Sequence, residues 1–122
     1  MVALIVLTFA LLLGSSQAFK HYRLRIPNGK NVPHPCKANL KWPGVGHENR
    51  SGGGKRNAFG VDFAKFGSKW NEEICQADSD GDGWTNGYEL GDPDCAWSPG
   101  QTPSRSDNIT HPGESTGTIK IY

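Results

Sequence analysis

Between residues 19 and 58 the breakers Pro27, Gly29, Pro33, Pro35, Pro43, Gly44 and the run Gly52, Gly53, Gly54 leave no room for a long regular element. Proline removes a backbone donor and glycine a conformational restraint, so this stretch is predicted to fold as turns, short extended pieces and a flexible glycine loop. No strong strand is visible in it. The chain past residue 18 is also poor in Leu, Ile and Val. It has little aliphatic surface to bury, and small chains in that position add disulfides or a bound metal to a thin core.

The apolar residues are concentrated instead at residues 2–13 (VALIVLTFALLL), followed by Gly14, Ser15, Ser16, Gln17 and Ala18. Twelve residues are too few to span a bilayer, which takes roughly 20. The run and its small-residue end read as a secretory leader over residues 1–18, cleaved after Ala18. A single domain is then predicted over residues 19–122, within a chain of 122 residues. No membrane attachment is expected once the leader is gone. Export suits the sequons at Asn49 and Asn108, both candidates for N-glycosylation. It also suits cysteine pairing: Cys36, Cys75 and Cys95 allow one bridge and leave one thiol, and spacing alone leaves all three pairings open.

Charge is segregated along the chain. Residues 19–70 hold eleven Lys and Arg against Glu48 and Asp62, while residues 71–122 hold ten acids against Arg105 and Lys120, so the net of +1 is a balance of opposites. The basic half carries no recognition motif, and nucleic acid is not an expected partner.

From Gly60 the spacing changes. Phe63 with Phe66, and Trp70 with Ile74, sit at helical intervals and predict one or two short helices, the second capped by Ser68 and running to about Ala77. Residues 103–122, rich in Ser, Thr, Pro and Gly, read as an irregular strap or tail. The predicted fold is a small, loop-rich, irregular α+β domain, stapled by one disulfide and one EF-hand-like calcium loop, with helix and loop occupying residues 60–95.

That loop is residues 78–89 (DSDGDGWTNGYE). Acids at positions one, three and five, glycine at six and glutamate at twelve match the twelve-residue calcium pattern. A hard cation takes six to eight oxygens, which alternate residues in a tight loop can turn inward. Asp78, Asp80 and Asp82 would each give one, Trp84 its carbonyl, Asn86 a direct or water-mediated contact, and Glu89 two. Gly91 and Pro93 stop any long exit helix, and there is one such loop. A structural Ca²⁺ site with the roughly 10⁻⁴–10⁻³ M affinity of extracellular modules is expected. Asp92 and Asp94 are candidates to extend it, and Cys75 and Cys95 bracket it.

Catalytic motifs are missing. His21, His34, His47 and His111 form no zinc-protease pattern, no nucleophile elbow occurs, and Gly54-Lys55 lacks P-loop spacing. His34 beside Cys36 reads as an exposed residue of a proline-rich turn. Trp42, Trp70, Trp84 and Trp97 are expected to supply core volume, with Trp84 on the loop placed to anchor a protein partner.

Several strings in order, RIPNG at 25–29, VPHPC at 32–36, WPGVGH at 42–47, NAFGVDF at 57–63, the acidic loop running into TNGYELGDP at 85–93, and THPG at 110–113, closely resemble the temptin family. The resemblance covers nearly all of the chain past residue 18. It implies a secreted, non-enzymatic component of a gastropod water-borne pheromone blend that acts with attractin-type proteins. It also implies a Cys36–Cys75 disulfide with Cys95 free. Other classes are an extracellular-matrix or shell-matrix calcium protein, and a metal-dependent enzyme or accessory using His34, His47 or His111.

Overall fold

The computed structural model describes residues 22–115; the expected leader and the last residues of the expected tail lie outside them. A short 3-10 turn, Arg23–Arg25, leads into extended Ile26. Residues 27–57 then fold as connected turns. Two isolated antiparallel bridges, Pro33 with Lys41 and His47 with Arg56, are the strand-like pairings among the described residues. The expected β component contracts to these two contacts because proline cannot extend a ladder. Trp42 N–H to the Val32 carbonyl (2.8 Å) closes the first turn, and Asn57 N–H to the Gly46 carbonyl (3.0 Å) closes the second. Gly52, Gly53 and Gly54 in the second all have positive φ, as the expected glycine loop requires.

Three short helices follow. α1 (Ala58–Lys65) is capped by Asn57, whose side-chain oxygen accepts the Gly60 N–H, and it buries Phe59 and Phe63 one turn apart. Gly60 has to be glycine, because a Cβ there would run into the Gly46 carbonyl. α2 (Glu72–Gln76) is capped by Asn71 through the Ile74 N–H. Ser68, the expected cap, instead sits at φ 57° in the turn that ends α1, whereas Asn71 has the extended backbone a cap needs. The predicted end near Ala77 holds. α3 (Asn86–Leu90) is capped by Thr85 and stopped by Gly91 in the left-handed conformation, as the Gly91-Pro93 signal predicts.

The core gathers Ile26, Val32, Val45, Phe59, Phe63, Ile74, Leu90 and Ile109, with Phe66 and Trp70 packed at its edge. Trp42 is also buried, while Trp84 is 53% exposed. The C-terminal strap has no helix or strand in its described part, as expected, yet it is built into the fold. Arg105 N–H donates to the Gly91 carbonyl (3.1 Å) and Thr110 N–H to the Glu89 carbonyl (3.0 Å). Ile109, His111, Pro112 and Gly113 are buried.

The disulfide departs from the Cys36–Cys75 expectation. Cys75 is bonded to Cys95, with Cα atoms 5.8 Å apart, and Cys36 is the exposed free thiol. The reason is the chain reversal after α3, where Asp92 N–H donates to the Gly87 carbonyl (2.7 Å) and Cys95 N–H to the Asp92 carbonyl (3.2 Å), returning Cys95 to α2. Cys75 is fully buried on α2, whereas Cys36 lies in the exposed first turn.

His111 is fully buried with its ring edge-on to Trp42 at 4.9 Å. Its Nδ1 accepts the Gly113 and Glu114 N–H groups. Burial, aided by nearby His34, pushes its pKa down from 6.5 to about 3. The unfolded chain therefore takes up a proton first, so the stability contributed by neutral His111 is complete above pH 6.5 and drains as pH falls toward 3.

Two outcomes are expected. An unreduced digest yields a Cys75–Cys95 linked peptide and a Cys36 peptide alkylated without reduction; Cys95→Ser costs about 3 kcal/mol, and Cys36→Ser less than about 0.5 kcal/mol. In NMR titrations the His111 imidazole stays neutral to about pH 4 while the urea midpoint declines below about pH 6; a His111 signal titrating near 6.5 contradicts this.

Candidate metal centre

The loop 78–89 runs from the end of α2 into α3, so its first acids sit on irregular backbone and Glu89 on a helix. Its shape is fixed by its own carboxylates. Asp78 accepts the N–H groups of Asp82 (3.2 Å) and Gly83 (2.8 Å), Asp80 accepts Asp82 N–H (3.3 Å), and Asp82 accepts Trp84 N–H (2.9 Å). Gly81 and Gly83 take φ of 70° and 93°, the reversals that let successive acids turn to the same side.

One carboxylate oxygen from each of Asp78, Asp80, Asp82 and Glu89 lies within 4.8 Å of all the others. Glu89 is 1% exposed, and neither of its carboxylate oxygens has a hydrogen-bond partner; the same holds for Asp80 Oδ2. A buried carboxylate without donors is costly unless it is protonated or faces a cation. Burial, followed by the adjacent Asp82 and Asp80 carboxylates, pushes Glu89 up to about 10 against a smaller opposing pull from the Thr110 side chain. Burial and Asp82 push Asp80 up to about 8. Four carboxylate oxygens at this spacing are part of the six to eight that a hard divalent ion takes.

Of the other expected ligands, Trp84, named for its backbone carbonyl, lies at the loop's exposed edge with its ring stacked on Tyr88 at 4.5 Å. Asn86 is turned into the protein: its amide nitrogen donates to the Ile74 carbonyl (2.8 Å) and Ser79 Oγ (2.9 Å), and its oxygen accepts Ser79 N–H (3.4 Å). Its role is to pin the loop to α2. Asp92 and Asp94 stand outside the cluster. The Asp92 carboxylate accepts from Trp70 Nε1 (2.8 Å), Ala96 N–H (2.9 Å) and Trp97 N–H (3.1 Å), so its lone pairs serve the turn that carries Cys95.

Two supports escaped the sequence reading. Ser79 Oγ donates to Asp62 on α1 (2.7 Å), a contact 17 residues apart with no motif to mark it. The strap holds Glu89 through Thr110, for which the THPG string was the available signal. Among the described residues no second cluster of His, Cys, Asp or Glu is spaced for a metal. His34 packs against Trp42 at 5.3 Å. Asn49 and Asn108 are both exposed, and Asn49 Oδ1 accepts Ser51 N–H (3.0 Å). Among the described residues no helix is long and apolar enough to cross a membrane.

The Temptin C-terminal family model matches residues 16–114. The chain is 46% identical over 113 residues to Temptin of Aplysia californica, covering 93% of this chain and 90% of that one. The chain belongs to the temptin family. No solved structure matches it. The temptin match extends through the carboxylate cluster, both bonded cysteines and the buried strap, so the parts that form the site lie within the family domain.

Asn86→Ala should lower stability by about 2 kcal/mol, since it strips the Ile74 carbonyl and the loop of buried partners. Urea unfolding with chelator and with calcium should show the same loss. A loss confined to the calcium sample would make Asn86 a ligand.

Proposed function

We propose that this temptin-family chain is an exported, non-enzymatic pheromone protein whose acidic loop binds one Ca²⁺. Asp78, Asp80, Asp82 and Glu89 would hold the ion, with the Trp84 carbonyl as the further oxygen that the loop pattern calls for. The observation carrying the calcium reading is Glu89, a fully buried carboxylate with both oxygens unpartnered and three carboxylates beside it. An ion in that position offsets both desolvation and mutual repulsion. The site is a staple in this reading, because α3 stops at Gly91 and supplies no long lever to open.

The pheromone reading rests on family membership. It implies recognition of other secreted proteins of the attractin type. The surface we assign to that contact is the Trp84–Tyr88 pair, stacked and exposed at 53% and 45%. The Arg105 guanidinium lies over Tyr88 at 5.2 Å. Large aromatics beside arginine are frequent anchors of protein interfaces.

Calorimetry with chelator and then with calcium should raise the melting temperature, by the equivalent of about 2.7 kcal/mol at a hundredfold excess over Kd. Glu89→Gln should raise stability in chelator, because a carboxyl held near 10 has to take up a proton to be buried at neutral pH and an amide does not, and it should abolish the calcium response. Identical melting curves and no heat of binding overturn the metal reading. In pull-downs from secretions, Trp84→Ala should lose the partner without a change in melting temperature; undiminished capture moves the interface elsewhere.

A further inference from the structure

Between the Arg23–Arg25 turn, the 43–53 loop and α1 lies a cavity of about 380 Å³, within the range of small-molecule sites. Its floor is apolar, formed by Ile26, Val45, Phe59 and Phe63, and five of its other lining residues are glycines, so the walls carry few side chains to fill it. Arg23 and Arg56 also line it, and no Asp or Glu does. Neither guanidinium has a carboxylate partner among the described residues; the ion pair of this region, Lys55 with Glu48 at 3.8 Å, uses other groups. The basic half of the chain thus places two unneutralised cations at the rim of an apolar hollow.

We propose that this cavity binds a small amphiphilic carboxylate, its apolar body on the Phe59–Phe63 floor and its head group between Arg23 and Arg56. Guanidinium matches carboxylate geometry in paired hydrogen bonds. A neutral apolar ligand would leave both charges unanswered, and a cation would be repelled. The volume suits one short chain or ring system and not a two-chain lipid, which commits the occupant to a free amphiphile. This site shares no residue with the acidic loop.

The test uses the purified full chain, sodium decanoate and decyltrimethylammonium in parallel isothermal titrations, and phosphatidylserine vesicles in a sedimentation assay. Decanoate should bind one to one and the ammonium amphiphile about tenfold more weakly. Arg23→Ala with Arg56→Ala should weaken decanoate about tenfold and erase the head-group preference. Both residues are accessible to solvent, so the fold should survive. Ala64→Phe, which adds a ring at a residue of α1 that lines the cavity, should block decanoate while leaving the melting temperature within a few degrees. Equal binding of the two amphiphiles, unchanged decanoate binding in Ala64→Phe, or vesicle sedimentation without decanoate binding would each overturn the proposal.

Discussion

Side-chain amides do in this fold what ladders do elsewhere. With two isolated bridges and three α-helices of eight residues or fewer, the described residues leave many backbone carbonyls and N–H groups without regular partners, and each one buried unpaired costs about 1–3 kcal/mol. Asn57 answers the Val45 and His47 carbonyls and the Gly60 N–H. Asn71 ties the Phe66 carbonyl to the Ile74 N–H, Asn86 joins α2 to the acidic loop, and a carboxylate, Asp92, accepts from Trp70, Ala96 and Trp97. Carboxamides carry donors and acceptors on one short stem, so a single residue can stand for two missing ladder bonds.

The legible parts of the sequence were those decided by local chemistry. Breakers through residues 27–57 leave turns, Gly91 ends α3, and the spacing of Asp78, Asp80, Asp82 and Glu89 places four carboxylates together. The parts that escaped it were decided by distant partners. Ser68 and Asn71 are both acceptable caps by type, and the choice fell to backbone conformation at the end of α1. The disulfide depended on a reversal built by Asp92, whose acidity had suggested an ion ligand. Asn86 matched a ligand position, yet the carbonyl of Ile74, 12 residues earlier, holds its amide. The residues past 103 read as a tail because their composition is that of a loop; burial of Ile109 and His111 comes from the hollow they enter, which no local pattern describes.

The acidic loop is enclosed twice, once by the Cys75–Cys95 bond across 20 residues of separation and once by the strap over Glu89. Both restraints hold the carboxylates close to one another, which would lower the ordering cost of the proposed ion site. The price is electrostatic, and it shows in the raised pKa values of Glu89 and Asp80. The two halves of the chain thus hold opposite charge for different ends: crowded acids around the loop, and unpaired guanidiniums beside the Phe59–Phe63 hollow.

Asn28 gives this architecture a direction in time. Its amide donates to the carbonyls of Leu90 and Arg105, 62 and 77 residues further along. A chain emerging from its amino end presents the first turn with its partners still to come, and contacts of such separation close slowly. Completion waits for the strap. Until then Asn28 can hold the Leu90 carbonyl alone, and the second of its two contacts, the Arg105 carbonyl, closes only when the strap reaches it.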